Sequence, residues 1–440
     1  SGKWTGTMNL TEPQCGTDLG LSKTMATPND DGSYNITGTK IFITCGEHDL
    51  SENVVHLVLA RTPKAPEGIK GISLFLVPKI LPHKDGTLDS PNNVKCGSIE
   101  KKMGIKASPT CVMHYEDAKG WLVGDLNKGM KAMFIMMNGA RLFVGIQGIG
   151  LSETAFQSSL HYAKERVQGK LPESENIADP IIVHPEIRKN LMFMKSMNDG
   201  IRGLMIKAGH AFDLIDTDQS KELSESSENL IALLTPILKS FATDKSMEIT
   251  NQALQIYGGH GYITDHGMEQ LVRDARITPI YEGTNGIQAL DLIGRKFNIH
   301  DGLIINQYLD NIDRFLDEHK DNSNMEKFIK LFVPSYNDLR ECINFIKQTD
   351  VSNSQEINSH AVDFLNIFAL VAVGFTWLEF INISQNKISD NDDEFYHSKI
   401  QLGDFYLTKV IYETKKFKNN IYSSGKLYND FRDKYFELGI

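Results

Sequence analysis

Along the chain the apolar positions change their period once. Up to about residue 115 they fall in short runs separated by turn signals, the texture of β-strands. The stretch Ser33-Tyr34-Asn35-Ile36-Thr37-Gly38-Thr39-Lys40-Ile41-Phe42-Ile43-Thr44 is dense in β-branched and aromatic residues, with Gly38 read as a turn. Residues 53–61 and 71–78 are short apolar runs bounded by Pro and Gly, and Met113, Tyr115 and Trp121 close this part. The pattern predicts a small antiparallel β-barrel, with a sandwich as the alternative.

From Gly129 onward the period becomes helical. One helix is expected over 130–166, a second over 185–216, a third over 224–257 and a shorter fourth after Glu282, together a four-helix bundle. Gly258 and Gly259 supply the stop of the third helix. Gly139, Gly145, Gly148 and Gly150 lie inside the first helix, at about 1 kcal/mol each relative to alanine. Close approach of another helix or a ligand would compensate. Past about Asn298 a further helical section contains 364–383, apolar on one face, and 395–418, amphipathic with lysines outward. The Asn/Asp/Ser-rich stretches at 319–324, 349–358 and 385–394 are read as loops. The fold class is therefore α+β multidomain, with a β-barrel over 1–122, a helical bundle over 123–298 and a C-terminal helical domain over 299–440.

Length and composition narrow the function. A chain of 440 residues needs more than one core. A net charge of −10 disfavours a nucleic-acid surface but leaves room for a local basic pocket. No apolar run is read as approaching the roughly 20 residues of a membrane span. Cys15, Cys45, Cys96, Cys111 and Cys342 show no CxxC pairing and are expected to be free thiols in a reducing cytoplasm. There is no signal peptide, and Ser1-Gly2-Lys3-Trp4 runs straight into a patterned segment, so the start is expected to lie inside a longer protein.

Three segments offer chemistry. In Ile280-Tyr281-Glu282-Gly283-Thr284-Asn285 a single carboxylate stands between an aromatic residue and a glycine, just after Pro279. An apolar collar would raise that acid's pKa, as a general base acting on a weak carbon acid requires. The same residues read equally as a helix start capped by Thr284 or Asn285. The loop Leu10-Thr11-Glu12-Pro13-Gln14-Cys15-Gly16-Thr17-Asp18 offers hydroxyls and N–H groups to an oxygen-rich planar ligand, or is a turn with Thr17 or Asp18 as cap. Tyr257-Gly258-Gly259-His260-Gly261-Tyr262 lets backbone approach a phosphate or an adenine, or simply ends a helix. His260 and His266 have no metal-ligand spacing and are read as ordinary polar residues. No GxGxxG in strand context, no P-loop and no nucleophile elbow occurs.

Taken in order, these segments resemble the acyl-CoA dehydrogenases. The Thr-Glu-Pro-x-x-Gly-Thr-Asp loop is similar to the family's first flavin loop, and Phe42-Ile43-Thr44 to its aromatic-Ile-Thr contact. Tyr162-Ala163-Lys164-Glu165-Arg166 resembles the Tyr-Ala-x-x-Arg helix end, and Gln255 to Tyr262 the Gln-x-x-Gly-Gly-x-Gly-aromatic turn. The segment around Glu282 resembles the catalytic one. The runs 179–188 and 283–292, with the extra C-terminal helices, are similar to the 3-methylmercaptopropionyl-CoA dehydrogenase branch. Family members carry an N-terminal helical domain before the β-domain, which this sequence lacks, so weak flavin binding is expected of it.

The resemblance implies FAD-dependent α,β-dehydrogenation of an acyl-CoA to the trans-2-enoyl-CoA. Glu282 would take the α-proton, the β-hydride would pass to flavin N5, and the Glu282 N–H would hold the thioester oxygen. It implies FAD contacts from Met8, Leu10, Thr11, Gly16, Thr17, Phe42, Ile43 and Thr44 on the ring side. Arg166, His184, Gln255, Gly258 and Gly259 would take the pyrophosphate and adenine, some from a neighbouring subunit, and Thr284 also contacts FAD. Thr17, Asn138, Arg141 and Gly283 would contact substrate, Asn138 standing where the family has an acid. The implied partners are an electron-transferring flavoprotein and further copies in a homodimer or tetramer, with no nucleic acid. An acyl-CoA oxidase, or a DNA-protecting flavoprotein of the same fold, is the alternative.

Overall fold

The computed structural model describes residues 2–215, 217, 220–349, 354–388, 393–423 and 425–438. They form two compact units, Ser1–Ala140 and Arg141–Ile440.

The first unit holds nine strands: β1 (Trp4–Asn9), β2 (Met25–Pro28), β3 (Tyr34–Thr44), β4 (Asn53–Arg61), β5 (Ile72–Pro78), β6 (Ile80–Pro82), β7 (Leu88–Pro91), β8 (Val94–Ile99) and β9 (Thr110–Val123). Seven form one sheet in the order β1-β4-β2-β3-β9-β5, with β8 also on β9 and β5 also on β4; β6 and β7 make a separate ribbon. The antiparallel barrel read from the sequence is not what forms. β1 runs parallel to β4 from Trp4↔Asn53 to Asn9↔Val58, and β2 meets β4 at the single parallel pair Met25↔Arg61. Parallel pairing needs a long connection, which the chain between Asn9 and Asn53 supplies. Inward residues of alternating strand positions, among them Ile36, Val58, Phe75, Val77, Met113 and Tyr115, make the core. Gly38 is no turn. It lies within β3 at a register shift against β9, where an added Cβ would sit 2.5 Å from Thr24 Oγ1.

The second unit is helical. Its framework is α1 (Gly129–Glu165, begun in the first unit), α2 (Pro185–Ile215) and α3 (Lys221–Tyr257), the last capped by Ser220, whose Oγ accepts the Leu223 N–H at 3.3 Å. These match the three long expected helices within a few residues; Asp216 lies outside the described residues. Then come α4 (Met268–Ala275), which the pattern did not show, and α5 (Asn285–Leu290), the short helix expected after Glu282. The glycines of α1 divide by role. A Cβ on Gly145 would meet Met205 and Leu238, and one on Gly148 would lie 3.0 Å from the Ala242 carbonyl, so α3 packs close there. Gly139 and Gly150 have open space instead.

The later helices are α6 (Leu303–Glu318), α7 (Glu326–Gln348), α8 (Ser354–Ser359), α9 (Ala361–Ile388), α10 (Glu394–Phe405), α11 (Thr414–Tyr422) and α12 (Lys426–Asp430). Of the expected loops, 350–353 and 389–392 lie outside the described residues, and α8 occupies part of 349–358. One apolar cluster runs from Leu142 and Leu204 through Phe332 and Phe368 to Ile411. At its centre α9 is buried almost all round, not on one face, and Trp377 Nε1 donates to the Ser196 carbonyl at 3.1 Å. Among the described residues two helices, α1 and α9, are long and apolar enough to cross a membrane, against the expectation of none. In α9, 83% of the apolar window is buried within the fold, as in the core helix of a globular unit. The segment 395–418 is not one helix: π and 3-10 turns over Tyr406–Glu413 break it between α10 and α11. All five cysteines are free.

Candidate active site

Glu282 sits on a turn between α4 and α5 with φ of +56°, and Gly283 follows with φ of +82°. A left-handed residue that is not glycine costs roughly 1–2 kcal/mol, so neighbours must hold it. They do so through the carbonyls. Arg141 Nε donates to the Glu282 carbonyl at 3.3 Å, and Lys239 Nζ donates to the Gly283 carbonyl at 2.8 Å. Gln288 Nε2 lies 3.4 and 3.3 Å from the same two oxygens. On the C-terminal side Thr284 Oγ1 accepts the Ile287 N–H at 3.3 Å, so Thr284, not Asn285, is the cap of α5. Upstream, the Tyr281 hydroxyl donates to Gln147 Oε1. The segment is therefore a helix start, and the Glu282 side chain takes no part in the cap.

Burial pushes the Glu282 carboxyl above its ordinary value, against the opposing charges of Arg141 and Lys239. Its carboxylate and its N–H make no hydrogen bond among the described residues. An unpaired base and an unpaired donor on one residue is the combination that proton abstraction beside a carbonyl needs. Arg141 and Lys239 were not both legible. Arg141, expected to contact substrate, is buried and bonds the backbone carbonyl of Glu282. Lys239, fully buried on α3, gave no signal beyond a lysine among apolar residues.

A second feature of this unit is a cavity of about 360 Å³ whose lining includes Tyr162, Arg166, Gln168, Gly258, Gly259 and His260. Here α3 ends because Gly258 adopts φ of +57° with ψ of −138°, and its N–H donates to the Gln255 carbonyl. A Cβ on Gly258 or Gly259 would meet nothing within 4 Å. Arg166 is exposed, its guanidinium without a partner among the described residues. Tyr162, one helical turn before it, stacks on Tyr257 at 4.1 Å and shares a 2.8 Å hydrogen bond with His260 Nδ1. His260, read as an ordinary polar residue, thus helps build the wall. His184 is not in the lining; its Nε2 is 2.8 Å from the carbonyl of Gln168, which is. The Gln255 side chain is exposed.

In the β unit, the loop 10–18 is organised by a residue given no role from sequence. Glu12 is buried and receives Lys40 Nζ at 2.8 Å, Lys23 N–H at 2.7 Å, Thr24 Oγ1 at 2.7 Å and Gln14 Nε2 at 2.6 Å, besides Ser22 Oγ. Burial alone would raise its carboxyl, but Lys40 and the donors outweigh it and bring the pKa to about 2. The Ile41 N–H donates to the Thr11 carbonyl at 2.9 Å, tying loop to strand. Gly16 and Thr17 are left exposed, and Asp18 Oδ1 caps a short turn by accepting Gly20 N–H at 3.0 Å. Met8, Leu10 and Thr11 are half-buried. Phe42 has φ of +60° at a bulge in β3 and is exposed, as is Thr44 at the strand end, whereas the Ile43 side chain is in the core. Asn138 is exposed on α1.

A β unit followed by a helical unit, with a desolvated carboxylate on a clamped left-handed turn, is matched by known proteins to the oxidoreductases of the acyl-CoA dehydrogenase type. Three family descriptions match in order: "Acyl-CoA dehydrogenase, middle domain" at 7–118, "Acyl-CoA dehydrogenase, C-terminal domain" at 127–297 and "Acetyl-CoA dehydrogenase C-terminal like" at 308–430. The chain is 40% identical over 428 residues to the 3-methylmercaptopropionyl-CoA dehydrogenase of Ruegeria pomeroyi, covering 97% of this chain and 73% of that protein. The chain belongs to the acyl-CoA dehydrogenase family. Two solved structures share the fold at 21% identity. They are Caenorhabditis elegans ACDH-11 in complex with C11-CoA (TM-score 0.79, 99% of this chain and 68% of that one) and a Bacillus anthracis acyl-CoA dehydrogenase complexed with FAD (TM-score 0.75, 98% and 70%).

Proposed function

We propose that this protein oxidises an acyl-CoA thioester between its α and β carbons, with Glu282 as the base that removes the α-proton. The observation that carries this is the Glu282 carboxylate itself: raised by burial, free of hydrogen bonds among the described residues, and held on a turn whose carbonyls are gripped by Arg141 and Lys239. A raised pKa brings a carboxylate closer to the acidity of its target and strengthens it as a base. As the proton leaves, negative charge grows on the thioester oxygen, and the unpaired Glu282 N–H is the donor we assign to it.

FAD is the cofactor, and the residues present fit it. The open space at Gly258 and Gly259 and the unpaired Arg166 guanidinium suit a pyrophosphate, since the arginine fork can bind two oxygens together. His184, Gln255 and Thr284 are proposed beside them, and Met8, Leu10, Thr11, Gly16, Thr17, Phe42, Ile43 and Thr44 for the ring side. When bound, FAD supplies the acceptor for the β-hydride. Thr17, Asn138, Arg141 and Gly283 remain the proposed substrate contacts; for Arg141 the support is indirect, through the Glu282 backbone. An electron-transferring flavoprotein as acceptor, a homodimer or tetramer, and a cytoplasmic location supported by the five free thiols complete the proposal. So do segment limits at 1–122, 123–298 and 299–440.

The test is anaerobic reduction of the flavin by a panel of acyl-CoAs in the full-length protein. Glu282→Gln should retain flavin and lose its bleaching. Bleaching at the native rate in that variant removes Glu282 from the mechanism.

A further inference from the structure

Lys239 is a charged residue with no solvent exposure, in the middle of α3. Burying an ammonium is costly unless it is fully bonded. Its bonds all lead to one place. Nζ donates to the Gly283 carbonyl at 2.8 Å and to Asn285 Oδ1 at 2.9 Å. Asn285 Nδ2 in turn donates to Asp244 Oδ1 at 2.7 Å, with Thr243 Oγ1 and the Ser240 carbonyl at 3.0 and 3.1 Å. The amide of Asn285 is thus saturated, and Lys239 and Asp244 are linked through it and not by a direct bond. The residue just before this grip is Glu282.

We propose that Lys239 is a positioning residue for the reaction: through Gly283 and Asn285 it holds the left-handed turn that presents Glu282, and its charge biases the base toward the carboxylate form. This rests on Glu282 being the base. Arg141 does the companion task one peptide earlier, at the Glu282 carbonyl. Two cations from different helices therefore hold two consecutive carbonyls of a turn that would otherwise relax.

The charge is finely held. Burial brings the Lys239 ammonium down to about 8, with Asp244 and Glu282 supporting its charge and Arg141 opposing it. Burial also raises Asp244, despite its bond from Asn285. Arg141 is in turn influenced by Asp291 and Arg295, and Asp244 by Lys245 and Arg276. Glu282 and Lys239 thus stand among four further charged residues near the turn, with Lys245 and Arg276 beside Asp244. Lys239 is the one that bonds the segment after the base while remaining able to lose its charge in mildly alkaline solution.

The test compares Lys239→Met, Lys239→Gln and Lys239→Arg with the native protein and with Glu282→Gln. The Glu282 carboxyl is followed by infrared titration, its band identified as the one absent from Glu282→Gln, and kcat and KM are measured across pH. Glutamine keeps an N–H for the Gly283 carbonyl but removes the charge. We expect the carboxyl titration to move to higher pH in Lys239→Met and Lys239→Gln and to stay near native in Lys239→Arg. We expect kcat to fall about tenfold or more in Lys239→Met, as misplacement of a base does, with KM little changed. If Lys239→Met does not fold, Lys239→Gln carries the titration. An unmoved titration in the neutral variants overturns the proposal. Activity surviving in Glu282→Gln instead overturns the assignment of the base, a separate failure.

Discussion

Lys40 donates to Glu12 Oε1 at 2.8 Å, and the two side chains are 0% and 3% exposed. Removing one member of such a pair strands the other in the protein interior. Glu12→Gln should therefore destabilise the β unit by about 3–5 kcal/mol in urea unfolding. The pH sign follows from Glu12 being lowered from 4.5 to about 2. The unfolded state binds the proton first as pH falls, so the pair's stabilisation is full above about 4.5 and is lost toward 2. An acid-unfolding curve indistinguishable between native and Glu12→Gln would contradict this.

Gly283→Ala should impair the reaction more than the fold. At φ of +82° an alanine is strained, and its Cβ would lie 2.8 Å from Gln288 Nε2, displacing a group that lies against both carbonyls of the turn. The stability cost is about 1–2 kcal/mol. The rate of flavin reduction should fall at least tenfold, since the base is aimed by this turn.

The rate should depend on Glu282 being ionised. Because burial raises its carboxyl above the ordinary 4.5, the acid limb of kcat/KM against pH should lie above that value and be absent from Glu282→Gln. A limb at the ordinary glutamate value would mean that the carboxylate is better solvated in the working enzyme.

Flavin affinity and stability should separate at Gly259→Ala. No atom lies within 4 Å of the new Cβ and no positive φ is imposed, so unfolding should be native-like within about 0.5 kcal/mol. Weaker flavin binding, read by equilibrium dialysis, is the expected loss. Arg166→Ala should weaken binding as well and reduce its dependence on salt, since an exposed cation whose attraction salt screens is removed.

On α1, Gly145→Ala and Gly148→Leu should differ in sign. The Gly145 Cβ meets first the flexible end of Met205, at 2.8 Å, which can move, and next the Leu238 carbonyl at 3.3 Å, a contact whose cost is smaller than the roughly 1 kcal/mol of helix propensity that alanine gains. Gly148 faces backbone of α3, at 3.0 Å from the Ala242 carbonyl, so leucine should cost about 1–3 kcal/mol by overpacking. Thermal unfolding measures both.

Much of this was legible in the chain. The change of period near Gly129 separated strands from helices, and the ends of α2 and α3 fell where Pro185 and Gly258 put them. Local signals marked these because they act within one turn of helix. Glu282 was marked by its neighbours, and Thr284 as a cap by its hydroxyl. Less visible were α4, the break at Tyr406, and the burial of α9 on all sides, since each depends on which distant helix covers a face.

The sequence by itself determined the order of segments and the family, and it marked the candidate acid, because these are written in residue types at short spacing. Tertiary structure alone decided that β1 pairs in parallel with β4, that Glu12 is an anchor for its loop, and that Arg141 and Lys239 close on consecutive carbonyls around Glu282. The pKa of Glu282 and the direction of its backbone are set by dielectric and by Arg141 and Lys239, both more than 40 residues away along the chain, where no local pattern can register them.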